Sequence, residues 1–174
     1  MKNRLFAIMA LAVMAAFIIP ATASGQAKAN FAGTWAYNAS KSDQPPGGGQ
    51  GGGGGMRGGF GGGDFVAKQE ANLLTVERTR TGQDGQTVTT TTKYTLDGKE
   101  TVNAGMGGRG ESKSTAVWSA DGKSLTITTT RDFNGNTMTS KEVWTLLSPT
   151  SLQITSTSNT PNGEMTMKRV YDKK

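Results

Sequence analysis

The chain of 174 residues contains no cysteine and no histidine. Without cysteine there is no thiol nucleophile, disulfide or iron–sulfur ligation. Without histidine there is no imidazole base and no nitrogen ligand for a transition metal. Acidic residues number 13 and are dispersed, and no stretch shows the Asp-x-Asp-x-Asp-Gly spacing of a calcium loop. Neither a metal nor a cofactor is expected. Serine and threonine are abundant, but an activating base would have to be Glu142 or a lysine with a shifted pKa, and no spacing singles one out. The expectation is therefore a protein that is not an enzyme.

Long apolar runs are also absent, with one exception. Lys2 and Arg4 precede an apolar run of 15 residues from Leu5 to Ile19, and Pro20 is followed by Ala21, Thr22 and Ala23. A charged start, a short apolar centre and small residues at its end read as a secretory signal peptide over 1–23. The run falls short of the roughly 20 apolar residues that cross a bilayer. Cleavage after Ala23 predicts a product beginning at Ser24, exported to the periplasm or the medium, with no transmembrane segment. With no cysteine near the cleavage site, lipid attachment there is excluded.

Removing Lys2 and Arg4 lowers the formal charge from +6 to +4. The remaining positive charges stand singly or in pairs, as at Arg78 and Arg80, where a nucleic-acid surface would show a dense stripe. No nucleic-acid partner is expected. The segment Gly47 to Gly63 holds 13 glycines in 17 residues. Such a composition cannot bury enough apolar surface to offset its ordering entropy, so 44–64 reads as a disordered Gly-rich loop within one domain, 24–174. Its single Arg57-Gly58-Gly59-Phe60 resembles RNA-binding tracts only weakly.

After Gly63 the chain follows a strand-and-turn rhythm. Asp84-Gly85, Asp97-Gly98, Asp121-Gly122, Asn134-Gly135 and Asn162-Gly163 separate stretches rich in Thr, Val, Ile, Tyr and Trp, which predicts a meander of hairpins. Candidate strands are Phe31 to Tyr37, Phe65 to Glu70, Leu73 to Thr81, Gln86 to Leu96 and Lys99 to Asn103. Five more follow at Ser112 to Ser119, Ser124 to Asp132, Asn136 to Leu147, Ser151 to Thr157 and Glu164 to Tyr171. Leu74-Thr75-Val76, Leu125-Thr126-Ile127 and Leu152-Gln153-Ile154 open similar hairpins, at a spacing too irregular for a solenoid.

Alternation divides the strands into a wet face and a partly apolar one. Val88, Thr90, Thr92, Tyr94 and Leu96 share a face, opposite a run of threonines and Lys93. A long antiparallel sheet with one apolar face must close on itself or find a second layer, and closure into an up-and-down barrel of eight to ten strands is the simplest solution. By the same alternation Arg78 and Arg80 follow Leu74 and Val76, Arg131 follows Leu125 and Ile127, Glu142 sits between Met138 and Trp144, and Arg169 lies in line with Met167 and Tyr171. Such charges either reach water at the barrel mouths or meet an anionic ligand.

Both ends of the chain resemble a known family. Phe31-Ala32-Gly33-Thr34-Trp35, with Ser40 and Asp43, resembles the Gly-x-Trp first strand of the calycin superfamily, which includes lipocalins and intracellular fatty-acid-binding proteins. Lys168-Arg169-Val170-Tyr171-Asp172-Lys173 resembles the last strand of the fatty-acid-binding branch. Bacterial secreted proteins described as lipocalin-like are similar too. The resemblance implies a calycin barrel, and it implies two different roles for one residue. In the fatty-acid-binding branch Arg169 and Tyr171 would hold a ligand carboxylate, whereas in lipocalins Arg169 would pack across Trp35 and close the barrel floor. The helical lid of the first branch is missing, as are the disulfides and C-terminal helix common in the second.

Two functions remain open at this point. In one, an all-β, calycin-like barrel binds a small hydrophobic or amphipathic molecule, anionic ones included, through Arg169, Tyr171, Arg131, Arg78, Trp118, Trp144 and Met167. In the other, an envelope or extracellular interaction protein fills its barrel with its own side chains. An internal cavity of roughly 300 Å³ or more separates the first from the second.

Overall fold

The structure is a computed structural model that describes residues 27–44, 62–81, 85–105, 110–133, 135–160 and 163–174. The expected signal peptide and most of the Gly-rich stretch lie outside the described residues. Ten strands follow in sequence: β1 (Gly33–Asn38), β2 (Phe65–Glu70), β3 (Leu73–Thr81), β4 (Thr87–Thr95), β5 (Glu100–Ala104), β6 (Glu111–Trp118), β7 (Ser124–Phe133), β8 (Asn136–Ser148), β9 (Ser151–Thr160) and β10 (Gly163–Lys173). A single-turn 3-10 helix, Ala39–Lys41, follows β1 and is capped by the Asn38 side chain, which accepts from the Ser40 and Lys41 amides.

All ten expected strands are present, most within one or two residues of the expected ends. Asp97-Gly98 and Asp121-Gly122 fall at connections between strands, and Gly98 (φ 80°) and Gly122 (φ 65°) adopt the left-handed backbone that turns of this kind require; Asp84, Asn134 and Asn162 lie outside the described residues. The largest differences lie in β9 and β10, which run on to Thr160 and Lys173. Ser156 and Ser158 resemble loop composition, yet both point inward and are buried.

The sheet order is β4-β3-β2-β1-β10-β9-β8-β7-β6-β5, all neighbours antiparallel. Consecutive strands pair, and β1 pairs with β10, so the meander curls into an up-and-down barrel. The one backbone gap, between β4 and β5, is bridged by side chains. Asn103 accepts from the Lys93 amide at 2.8 Å and donates to the Lys93 carbonyl at 2.9 Å, as a neighbouring peptide would. Thr101 Oγ1 accepts from the Thr95 amide at 3.0 Å.

Inside the barrel the two ends differ. Toward the end formed by the β2–β3, β4–β5, β6–β7 and β8–β9 turns, inward side chains build one apolar core. Trp35, Trp144, Leu74, Leu125, Leu152 and Ile154 are among its fully buried members. Phe31 enters from the segment before β1, stacking on Trp118 (centroids 5.7 Å apart) and meeting Trp144 edge-on at 5.8 Å. The Trp35 indole donates to the Phe31 carbonyl at 2.9 Å, which fixes that entry. Phe65 tops the cluster, against Trp144 at 5.5 Å and Tyr171 at 5.0 Å. These aromatics form a plug.

On the outside of the sheet, exposed carboxylates tie β1 to its neighbours. Asp172 accepts from Asn38 Nδ2 at 2.6 Å and from Lys41 Nζ at 3.1 Å. Those two partners, Asn38 first, hold its carboxyl below the usual range. Asp64 is held low in the same way by Lys174 and by the Tyr37 amide. A carboxyl whose folded pKa is depressed contributes stability above its unfolded value of about 3.9 and loses it as pH falls through the lower folded value. Asp172→Asn is therefore expected to flatten the loss of stability below about pH 4. Urea unfolding across pH 2 to 6 measures this, and curves parallel to the parent's would contradict it.

Candidate functional site

The inward stripe of nearly every long strand changes chemistry at a similar height. On β3, Leu74 and Val76 give way to Arg78 and Arg80. On β7, Leu125 and Ile127 give way to Thr129 and Arg131. Trp144 on β8 is followed toward the same end by Glu142 and Ser140, and Ile154 on β9 by Ser156. On β10, Arg169 lies next to Tyr171 along the inner face. Above the plug this leaves a cavity of about 330 Å³. It is lined by Arg78, Arg80, Arg131 and Arg169, by one carboxylate, Glu142, and by a ring of serine and threonine hydroxyls.

Arg169 is the most constrained of these groups. Its side chain is only 4% exposed, its Nη2 donates to Ser156 Oγ at 2.9 Å, and its Nε has no partner. Among the described residues no carboxylate lies within ion-pair distance of Arg169, Arg131 or Arg78. A buried guanidinium answered by a neutral hydroxyl is costly, because neither its charge nor its full set of donors is compensated. Arg78 lies over the Phe65 ring, 5.1 Å from its centroid, a contact that steadies the guanidinium without neutralising it.

The plug also orients the remaining ionisable groups. Trp144 Nε1 donates to Glu142 Oε2 at 3.0 Å, committing one carboxylate oxygen to the indole. Burial raises the Tyr171 pKa, with the Arg169 guanidinium pulling the other way. Burial raises that of Tyr94 as well, Glu142 adding to the effect and Arg78 opposing it. Both phenols therefore stay protonated near neutral pH. Among the described residues no group of three acids, cysteines or histidines is placed to hold a metal, and no helix is long and apolar enough to cross a membrane.

Of the residues singled out in the sequence, Arg78, Arg131 and Arg169 come together around the cavity. Trp118, Trp144, Met167 and Tyr171 are not among its lining. Trp144 and Tyr171 are fully buried in or against the plug, Met167 is buried, and Trp118 is half-buried under Phe31. The expected apolar wall is thus used up as core, because Phe31 fills the space it would have lined. The cation over Trp35 is Lys173, 5.5 Å from the ring centroid, and not Arg169. The register explains this: Trp35 stands opposite Lys173 across the β1–β10 pair, whereas Arg169 stands opposite Ile154 on β9. Ser114, Ser156 and Thr129 belong to the site and were not singled out. Their signal was a hydroxyl at an inward position beside an arginine.

No family model matches the chain, and no curated protein matches it. Among solved structures, the zebrafish ileal bile acid-binding protein complexed with cholic acid is similar at 19% identity, covering 64% of this chain and 72% of that one, with a TM-score of 0.43. The barrel described above rests on the strand order and register of the chain itself.

If Arg169 is kept for a ligand rather than for the fold, removing its charge will not harm the unliganded protein. Arg169→Met, similar in length and apolar, is expected to leave stability unchanged or raise it by about 1–2 kcal/mol. Denaturant unfolding measures the difference. A loss of several kcal/mol would make Arg169 a structural residue.

Proposed function

We propose that this barrel binds a small anionic molecule, reversibly and without covalent chemistry, in the cavity above its aromatic plug. The observation that carries the reading is Arg169, a buried guanidinium whose neighbours, the Ser156 hydroxyl and the Tyr171 phenol, are neutral, with an unpartnered Nε beside a cavity of about 330 Å³. That volume lies at the small end of ligand pockets, which begin at roughly 300 Å³. A low-dielectric site strengthens a guanidinium–anion contact, and the planar fork of arginine suits carboxylate or phosphoryl oxygens. Tyr171, in contact range of Arg169, supports it at the back of the site, while Arg78 and Arg131 supply charge from other strands. Trp144 and Trp118 act through the core that forms the base of the site, while Met167 packs beyond Arg169 on β10, opposite Ser156.

Binding accounts for the residues better than turnover does. Among the described residues the one carboxylate of the lining is bonded to an indole, and the chain has no histidine or cysteine to serve as base or nucleophile. The proposal extends to location. The amino-terminal pattern of Lys2, Arg4, the apolar run and Ala21 to Ala23 supports export, placing the binding protein in the periplasm or medium.

Native mass spectrometry of the protein purified from the cells that make it tests both points. The expected polypeptide mass begins at Ser24, and the expected complex carries an additional species that is absent from Arg169→Met. A polypeptide retaining 1–23 would overturn export. The bare mass for both proteins, with no uptake of added small acids, would overturn binding.

A further inference from the structure

We infer that the ligand is a compact, polar molecule bearing two or more anionic groups, carboxylate or phosphoryl, and not an acyl chain or other apolar body with one charged head. This rests on the binding reading above and specifies its ligand class.

The first ground is what the cavity wall is made of. Of the 16 described residues that line it, only Val88 and Ala104 carry aliphatic side chains, while seven carry serine or threonine hydroxyls. Ser114 and Thr129 bond each other and Ser156 accepts from Arg169, but an apolar tail would shut off from water the hydroxyls of Thr90, Thr92 and Ser140 together with the arginines, which costs more than the burial of the tail returns. The large apolar side chains suited to holding a tail are already packed against one another in the plug.

The second ground is how the charge is distributed around the ring of strands. Arg78 stands on β3, Arg169 on β10 and Arg131 on β7. In the sheet order, β3 and β10 are three strands apart, β10 and β7 are three apart, and β7 returns to β3 in four steps across the β4–β5 seam. The three guanidinium groups therefore approach from three sides of the barrel. A single carboxylate can be gripped by one or two forks from one side, leaving the third arginine uncompensated. Arg78, Arg131 and Arg169, with the exposed Arg80 beside them, face one carboxylate among the described lining, Glu142, so the excess is three positive charges, or two without Arg80, which a dianion or trianion balances. Glu142 keeps a free oxygen for a ligand hydroxyl, and Ser114 and Thr129, bonded to each other at 2.9 Å, offer further hydroxyls nearby.

The test is isothermal titration calorimetry of the purified protein at constant ionic strength with citrate, pyrophosphate and decanoate. Citrate or pyrophosphate is expected to bind at least about tenfold more tightly than decanoate. Arg131→Gln is expected to weaken that multianion by roughly ten- to a hundredfold, the loss of one charge-assisted contact. Near-ultraviolet circular dichroism of the variant confirms that its core is intact, and Arg78→Gln serves as the second variant. Preference between citrate and pyrophosphate distinguishes carboxylate from phosphoryl recognition. Decanoate binding as tightly as either multianion overturns the ligand class while leaving the binding reading in place. Binding of none of the three overturns both.

Discussion

The aromatic plug is the constraint on which the rest of the molecule depends. A barrel of this size can be filled by its own side chains along its whole length. Here the filling stops partway up. Phe31, folded back from before β1 and pinned by the Trp35 indole, completes the apolar layer with Trp144, Phe65 and Tyr171. Each large side chain fully buried there contributes about 1.5–3 kcal/mol. That stability lets the other half of the interior carry arginines and hydroxyls, whose burial without partners opposes folding.

The plug also prepares the site it supports. Its upper surface presents an indole N–H to Glu142, a ring face to Arg78 and a phenol beside Arg169. The charged groups are thereby oriented before any ligand arrives, so less ordering remains to be done on binding. The cost falls on the unliganded protein, in the form of an incompletely partnered Arg169. A buried group under-satisfied in the free state and well placed toward a cavity is the pattern of a site kept for something else.

Most of the architecture was legible in the sequence, and the reasons are local. Strict alternation over β4 and β8 and the pairs Asp97-Gly98 and Asp121-Gly122 marked strands, faces and turns, because strand periodicity and turn backbone depend on neighbours only. The same alternation turned Arg78, Arg131 and Arg169 inward. What alternation cannot convey is height along the barrel axis, since that follows from the register between strands. Trp118, Trp144 and Met167 therefore read as a ligand wall when they belong to the core or its margin. Register also decides that Lys173, opposite Trp35, covers its ring. The side-chain seam made by Asn103 and Thr101 closes the barrel between β4 and β5, the two ends of the hydrogen-bonded order, where the Asp97-Gly98 turn predicts an ordinary backbone-paired hairpin.

The central claim is that arginines on β3, β7 and β10 turn into an open cavity above a filled aromatic base. Anomalous diffraction from crystals grown in bromide tests it directly, because bromide is small, anionic and locatable without any assumption about the natural ligand. The account predicts bromide within contact of Arg169 and of Arg131 or Arg78 inside the barrel, with Phe31 seated between Trp118 and Trp144. A barrel whose arginines turn outward and whose upper half is closed by other side chains, with no bromide inside, would contradict it.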